Sequence, residues 1–210
     1  MEDLLGLPEP DRSSNPVRSA FDIVAMAASA GGLRAISEIL VKLPGGFPAP
    51  IVVVQHLDPR HRSLMADILS RKTKLRVKEA EADDRVRGNH VFIAPPNKHL
   101  LVNPDGSLSL TQTELVHFVR PSVDLLFESV AASFRDRAIA VILTGTGTDG
   151  AMGVRAIKKM GGTVIAQDEG SSEFFGMPGA AIQTGDVDFV LPLPDIADAL
   201  LKLVDARGVS

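Results

Sequence analysis

The chain contains no cysteine, tryptophan or tyrosine, and phenylalanine alone supplies its aromatic content of 4%. The lack of cysteine excludes disulfides, thiolate nucleophiles and cysteine-based metal sites. With so few aromatic side chains, a core has to be built from aliphatic ones, and the apolar fraction of 45% is sufficient for that. No apolar run is long enough to cross a bilayer, so we expect no membrane insertion.

Charge and the N-terminal residues narrow the class of protein further. The net charge of −4 is unlike that of a nucleic-acid-binding protein, and we expect no nucleic-acid partner. Residues 1–20 lack the basic start and apolar run of a secretory signal, and we expect a cytoplasmic location. Basic side chains do cluster at Arg60, Arg62, Arg71, Lys72, Lys74 and Arg76. Such a run is typical of a solvated helix face, with a docking patch for an acidic partner as the alternative.

The pattern of residues predicts one folded domain after a short tail. Residues 1–20 are polar and proline-containing, which is typical of a disordered tail or a linker remnant. Over residues 21–206, apolar strand-like runs alternate with amphipathic helical segments. This alternation predicts a doubly wound α/β domain with a mostly parallel sheet and helices on both faces. Residues 76–110 contain short candidate strands around the turn signal Asn103–Gly106, so we expect an antiparallel hairpin addition at one sheet edge.

Three reactive side chains follow three of the apolar runs. Ser29 follows the first run, His56 follows the second, and Asp149 ends the glycine-rich loop after the run at residues 139–143. In parallel sheets, ligands bind at the carboxyl ends of the strands, where such side chains would meet if the strands are neighbours. A serine nucleophile needs an imidazole base, and the base needs a carboxylate that fixes its tautomer. A catalytic triad is therefore one hypothesis for these residues.

Each of the three residues also has a simpler interpretation. Ser29 and Asp149 precede helical segments and are typical helix caps, and His56 is typical of a loop-edge histidine. The residues alone leave these alternatives open.

The glycine-rich turns and the other histidines do not match common cofactor or metal sites. Ser29–Gly32 is not a dinucleotide fingerprint, and Thr144–Gly150 lacks the lysine of a P-loop. The remaining histidines have no recognised ligand spacing; they are His61, His90, His99 and His117. We expect neither a cofactor nor a metal.

Six segments resemble the catalytic domain of the chemotaxis protein-glutamate methylesterases, the CheB-type methylesterases. They are Ala28–Gly32, Val54–His56, Phe92–His99, Arg120–Asp124, Leu143–Gly150 and Ala166–Pro178. Each segment alone is a weak match. Their joint order, over nearly all of the predicted domain, makes the resemblance specific.

The resemblance implies a serine hydrolase that acts on chemoreceptors. The family's triad corresponds to Ser29, His56 and Asp149, and its oxyanion donors correspond to the backbone N–H groups of Ala30 and Thr146. The implied reaction is hydrolysis of glutamate γ-methyl esters on helices of methylated chemoreceptors (methyl-accepting chemotaxis proteins), with release of methanol and without a cofactor. Some members also deamidate receptor glutamines.

Three departures from the family pattern leave other interpretations open. Ala27 stands where glycine is usual, and Thr146 stands where methionine is frequent. A non-catalytic receptor-binding domain of the same fold and a hydrolase of a different ester are the alternatives. The family's receiver domain, which covers the active site until it is phosphorylated, is replaced here by the short tail. We therefore expect an open site, or a separate receiver-domain regulator.

Overall fold

The computed structural model describes residues 22–56, 64–116 and 119–205. The predicted tail and the histidines His61 and His117 lie outside these ranges, as do Arg60 and Arg62 of the basic cluster.

Strands and helices alternate along the described chain. The strands are β1 (Ile23–Ala28), β2 (Ile51–Gln55), β3 (Arg76–Glu79), β4 (His90–Ile93), β5 (His99–Val102), β6 (Leu108–Thr111), β7 (Ala138–Ile142), β8 (Thr163–Gln167) and β9 (Phe189–Leu191). The helices are α1 (Gly32–Lys42), α2 (Met65–Ser70), α3 (Val123–Phe134), α4 (Ala151–Lys159), α5 (Gly176–Gln183) and α6 (Leu193–Asp205).

Seven of these strands form one parallel sheet in the order β3-β4-β2-β1-β7-β8-β9. Every residue of β1, β2 and β7 is buried, as expected for strands covered on both faces. Successive residues of β1 point to opposite faces. Val24 and Met26 pack in the core beneath α1, α2 and α6, and Ala25 and Ala27 pack in the core beneath α3, α4 and α5. The predicted doubly wound α/β fold is confirmed.

The prediction for residues 76–110 was wrong in part. β3 and β4 pair parallel with each other, and β4 pairs parallel with β2, so both belong to the main sheet. Only β5 and β6 form the antiparallel hairpin, which is a separate sheet and not an edge addition. It is held to α3 through Val102, whose N–H donates to Ser129 Oγ (3.0 Å) and whose carbonyl accepts from Ser133 Oγ (2.8 Å).

The short link between β3 and β4 explains this error. Residues 80–89 are few enough to suggest a hairpin turn. Instead they run beside the turn of the β5–β6 hairpin, where Val86 N–H donates to Gly106 O (2.8 Å) and Asp83 N–H donates to Leu108 O (2.9 Å). This detour returns the chain to the start of the sheet, so that β4 can run parallel to β3.

The strand order reverses its direction at β1. The chain passes from β1 to β2 on one side and places β7 on the other. The loops after β1, β2 and β7 therefore leave the same edge of the sheet at a topological switch point, where open α/β sheets bind their ligands.

Candidate active site

Strand register brings the ends of β1, β2 and β7 together. Ala28 is paired with Gln55, so the next residues on these two strands are Ser29 and His56. His56 N–H donates to Ala28 O (3.0 Å), and Ser29 N–H donates to Thr144 O (3.0 Å) in the loop after β7. The nucleophile candidate thus has the base candidate on one side and the glycine-rich loop on the other.

Ser29 lies on a tight turn between β1 and α1. The residue that caps α1 is Gly31, in the left-handed conformation with φ 78°, and no side chain caps this helix by a hydrogen bond. The interpretation of Ser29 as a helix cap is therefore wrong. Its hydroxyl is partly exposed and makes no hydrogen bond within the described residues, which leaves it available for a substrate.

His56 is joined to Asp149. His56 Nε2 lies 2.9 Å from Asp149 Oδ2, and the two side chains are only 14% and 5% exposed. Because an ionised carboxylate can only accept, Nε2 carries the proton and Nδ1 is the basic nitrogen. The structure therefore brings acid and base into contact and places Ser29 on the adjacent strand end. Within the described residues, no hydrogen bond yet links the Ser29 hydroxyl to His56.

The Asp149 carboxylate sits at the N-terminus of α3. It accepts hydrogen bonds from Ser122 Oγ (3.1 Å), Val123 N–H (2.7 Å) and Asp124 N–H (3.1 Å). Burial by itself raises the pKa of Asp149, but the hydrogen bonds from His56, Val123 and Asp124 outweigh burial and hold the pKa below its ordinary value. The acid is therefore kept ionised, which is the form that orients an imidazole.

Asp124 makes the reverse connection to the helix that follows Asp149. Its Oδ1 accepts from Gly150 N–H (3.0 Å) and Gly153 N–H (2.7 Å) at the start of α4. The interpretation of Asp149 as a cap of the helix that follows it is therefore wrong: its carboxylate accepts from the first turn of α3, and Asp124 of α3 accepts from Gly150 and Gly153 at the start of α4. We name this arrangement, made by Asp124, Asp149 and the first turns of α3 and α4, the carboxylate exchange.

A buried histidine holds the residue that precedes α3 in the carboxylate exchange. His99 is fully buried; its Nδ1 accepts from Ser122 N–H (3.1 Å), and its Nε2 donates to Glu114 O (3.0 Å). Sequence reasoning gave no role to His99, Ser122 or Asp124. The available signal was Ser-Val-Asp at the start of a helical segment, which is typical of a capping residue and a first-turn carboxylate.

Two buried glutamines, each the last residue of a strand, tie the site loops to the sheet. Gln55 Nε2 donates to Ser29 O (2.6 Å) and to His56 O (3.1 Å). Gln167 Oε1 accepts from Thr144 N–H (2.8 Å), and its Nε2 donates to Ser171 O (2.8 Å). Both amides therefore fix main-chain positions in the site loops.

The loop after β7 approaches Ser29 closely at Gly145. A Cβ on Gly145 would lie 2.8 Å from Ser29 Cβ and 2.5 Å from Met177 Sδ, so only glycine fits. The next residue, Thr146, is exposed. Within the described residues, neither its N–H nor that of Ala30 donates a hydrogen bond, so both predicted oxyanion donors are free.

The departure at Ala27 is accommodated. Ala27 is a fully buried residue of β1 with an ordinary strand conformation, and its methyl group packs in the core beneath α3. The position does not require glycine, because the left-handed conformation first occurs at Gly31. The extra methyl group therefore does not distort the turn that carries Ser29.

The described ranges contain neither a metal-binding cluster nor a membrane-spanning helix. Within residues 22–56, 64–116 and 119–205, no cluster of three or more histidine, aspartate or glutamate side chains is arranged to hold a metal ion. The helices of these ranges are all too short or too polar to span a membrane.

Comparisons with known proteins identify the family of the chain. A sequence profile described as CheB methylesterase matches residues 24–200. Protein-glutamate methylesterase FrzG of Myxococcus xanthus is 44% identical over 198 residues, which cover 94% of this chain and 59% of FrzG. A putative protein-glutamate methylesterase/protein-glutamine glutaminase of Leptospira interrogans is 40% identical over 183 residues, which cover 87% of this chain and 95% of that protein.

A solved structure has the same fold. The Thermotoga maritima CheB methylesterase catalytic domain superposes with a TM-score of 0.84 at 41% sequence identity, covering 88% of this chain and 99% of that one. The chain belongs to the CheB methylesterase family.

Proposed function

We propose that this protein is a serine hydrolase that removes methyl groups from glutamate γ-methyl esters of chemoreceptors. The observation that carries the proposal is the 2.9 Å contact between His56 Nε2 and Asp149 Oδ2, beside Ser29 at the switch point of the sheet. The substrate class is inferred from the family, whose relatives are named protein-glutamate methylesterases. The chain spans 59% of the length of FrzG and 95% of the Leptospira protein.

In the first half of the reaction, Ser29 Oγ attacks the ester carbonyl carbon while His56 Nδ1 takes the hydroxyl proton. Asp149, ionised at neutral pH, stabilises the imidazolium that forms. The catalytic contact between serine and histidine is often long in unliganded hydrolases and shortens when substrate binds. The free N–H groups of Ala30 and Thr146 stabilise the tetrahedral oxyanion. His56 then gives its proton to the departing methoxide, and methanol leaves.

In the second half, water replaces methanol. His56 Nδ1 takes a proton from the water, the hydroxide attacks the acyl-enzyme carbonyl, and the proton returns to Ser29 Oγ as the carbon–oxygen bond breaks. The products are one glutamate side chain and one methanol per water consumed. Ser29, His56 and Asp149 end in their starting protonation states.

The test is release of methanol from a receptor that carries labelled methyl groups. We expect the purified protein to release methanol and Ser29→Ala to release none above background, with an established methylesterase as positive control. If the wild type releases no methanol under conditions in which the positive control does, the proposal is wrong. A fluorophosphonate probe that labels the wild type at Ser29, and not the His56→Ala variant, separates a hydrolase from a non-catalytic receptor-binding domain.

A second activity, deamidation of receptor glutamines, follows the same steps with ammonia as the leaving group. It is favoured by the names of several relatives, which include protein-glutamine glutaminase. The same acyl-enzyme would form from either substrate. Ammonia release from a receptor with glutamine at the modified positions tests this activity, and small acyl esters test whether the enzyme prefers a different ester.

A further inference from the structure

A groove extends from Ser29 along the exposed side of α1. It encloses about 720 Å³, and Ser29 and Gln55 line the end nearest the triad. The rest of its lining comes mainly from α1, with Lys72 from the turn after α2; the residues used below are Leu33, Arg34, Glu38, Val41, Lys42 and Lys72. The groove is therefore continuous with the candidate active site and not a separate cavity.

The α1 wall of the groove is a regular helical stripe. Leu33 and Val41 are two turns apart and lie on one face of the helix. They are 37% and 52% exposed, respectively, and they share one groove, so a partner that fills the groove would bury both. At 1.5 Å per residue, the stripe from Leu33 to Lys42 is about 14 Å long, which matches about two and a half turns of a second helix lying against it.

The groove also carries positive charge. Arg34, Lys42 and Lys72 face one carboxylate, that of Glu38, although the chain as a whole has a net charge of −4. Lys42 Nζ donates to Pro194 O (2.6 Å), whereas the side chains of Arg34 and Lys72 are exposed and make no ion pair or hydrogen bond with any described residue. The described part of the sequence's basic cluster (Arg71, Lys72, Lys74 and Arg76) is exposed, and Lys72 is its member in the groove lining.

We propose that this groove docks an amphipathic helix of the methylated receptor whose carboxylates contact Arg34 and Lys72. The helix lies along α1, covers Leu33 and Val41 with its apolar side, and presents its esterified glutamate to Ser29. Its acidic residues then lie one to three turns from the ester. The inference rests on the proposed function and deepens it, because it names a charge pattern that the substrate must carry outside the reacting glutamate. Complementary charge of this kind acts chiefly on encounter and selectivity.

Charge reversal at Arg34 and Lys72, which have no ion-pair partner among the described residues, tests the proposal. For R34E/K72E, we expect KM for methylated receptor to rise about tenfold, and the ratio of receptor turnover to turnover of a small acyl ester to fall by a similar factor. R34Q/K72Q should give a smaller rise of about threefold, since it removes attraction without adding repulsion. Added salt should raise KM of the wild type and leave KM of R34E/K72E unchanged or lower it.

The control is K159E, which reverses an exposed lysine at the end of α4, beneath the opposite face of the sheet. We expect its KM for receptor to equal that of the wild type. An unchanged receptor KM in R34E/K72E, with wild-type turnover of receptor intact, overturns the docking inference and leaves the proposed function standing. Turnover of the small ester without any turnover of receptor by the wild type overturns both.

A third outcome identifies a different occupant. The segment 1–20 of the chain also combines leucines with acidic residues. If R34E/K72E lowers KM for receptor, and removal of residues 1–20 lowers it equally, then the groove binds this segment and the receptor inference is wrong.

Discussion

The two sides of His56 differ in how firmly the protein holds them. On the acid side, Asp149 is 6% exposed and accepts hydrogen bonds from His56, Ser122, Val123 and Asp124. On the nucleophile side, the Ser29 hydroxyl is partly exposed and makes no hydrogen bond within the described residues. In the proposed mechanism, Asp149 keeps one position and one charge throughout the reaction, so it can be fixed in advance, whereas Ser29 must move as its bond to substrate forms and breaks.

The largest expected effect is on activity: replacing Ser29 should abolish turnover and leave the stability of the fold unchanged. Ser29→Ala should lower kcat by roughly 10⁵- to 10⁶-fold, as loss of the nucleophile does in serine hydrolases. Its melting temperature should stay within about 2 °C of the wild type, because the hydroxyl contributes no hydrogen bond to the fold. Methanol release and thermal unfolding measure the two quantities. Ser70→Ala, an exposed serine of α2, is the matched control and should keep full activity.

Replacing Asp149 should lower both the activity and the stability. Asp149→Asn should lower kcat about 10⁴-fold, because an amide no longer enforces the imidazole tautomer. It should also lower the free energy of unfolding by about 1–3 kcal/mol, because its NH₂ group faces the donors of α3. Urea unfolding and initial rates test this. A variant as stable as Ser29→Ala would show that the two sides of His56 are held alike.

Close packing behind the nucleophile gives the next effect. Gly145→Ala places a methyl group 2.8 Å from Ser29 Cβ and 2.5 Å from Met177 Sδ. The displaced loop should lower kcat about 10- to 100-fold, since a shift near 1 Å is enough for such a loss. Gly46→Ala, where an added Cβ meets nothing within 4 Å, is the control for the loss of a glycine. Equal rates in the two variants would contradict close packing as the reason for Gly145.

Removing one of the donors to Asp149 should have a moderate effect. Ser122→Ala removes the hydroxyl that donates to Oδ1 and accepts from Leu125 N–H at the N-cap of α3. We expect kcat to fall about threefold to tenfold with KM unchanged, and the unfolding free energy to fall by about 1 kcal/mol. Ser122→Thr keeps the hydroxyl and should therefore retain most of the wild-type kcat and most of the unfolding free energy. A rise in KM without a change in kcat would place Ser122 outside the support of the acid.

The smallest effect is a pH dependence of stability. Because the folded state lowers the pKa of Asp149, its stabilisation is complete above the ordinary aspartate value of 3.8 and is lost as pH falls through the folded-state pKa. The difference in unfolding free energy between wild type and Asp149→Asn should therefore stay constant above about pH 5 and narrow as the pH falls further, from about pH 5 to about pH 2. Denaturant unfolding across that range measures it. A constant difference would mean that the ionised carboxylate adds nothing to the fold.

The sequence was sufficient to predict where Ser29 and His56 lie, because the order and direction of the strands determine both positions. Ser29 and His56 follow fully apolar runs, and the ends of buried parallel strands share one edge, so their neighbourhood could be predicted once the strands were identified. Which ring nitrogen of His56 contacts Asp149 could not be predicted from the sequence, because it depends on the direction from which the carboxylate approaches the ring.

The hydrogen bonds from α3 to Asp149 could not be predicted from the sequence for a different reason. The bonds from Val123 and Asp124 to Asp149 join residues that lie 25 or 26 positions apart in the chain, in α3 and in the loop before α4. Local cap patterns predict a contact such as that of Ser122 with its own helix, but they do not predict that a carboxylate binds the first turn of another helix. The parallel pairing of β3 and β4 was missed on similar grounds, because the length of the link between them does not reveal the detour it takes.

The carboxylate exchange ties catalysis to the opening of one part of the domain. First-turn amides usually fray, but those of Val123, Gly150 and Gly153 are each bonded to a buried aspartate from the neighbouring helix. Asp149 therefore cannot leave its place unless α3 and α4 separate. Slow hydrogen–deuterium exchange at these amides would report the same event as loss of turnover, and the protein would pass from active to inactive in a single cooperative step.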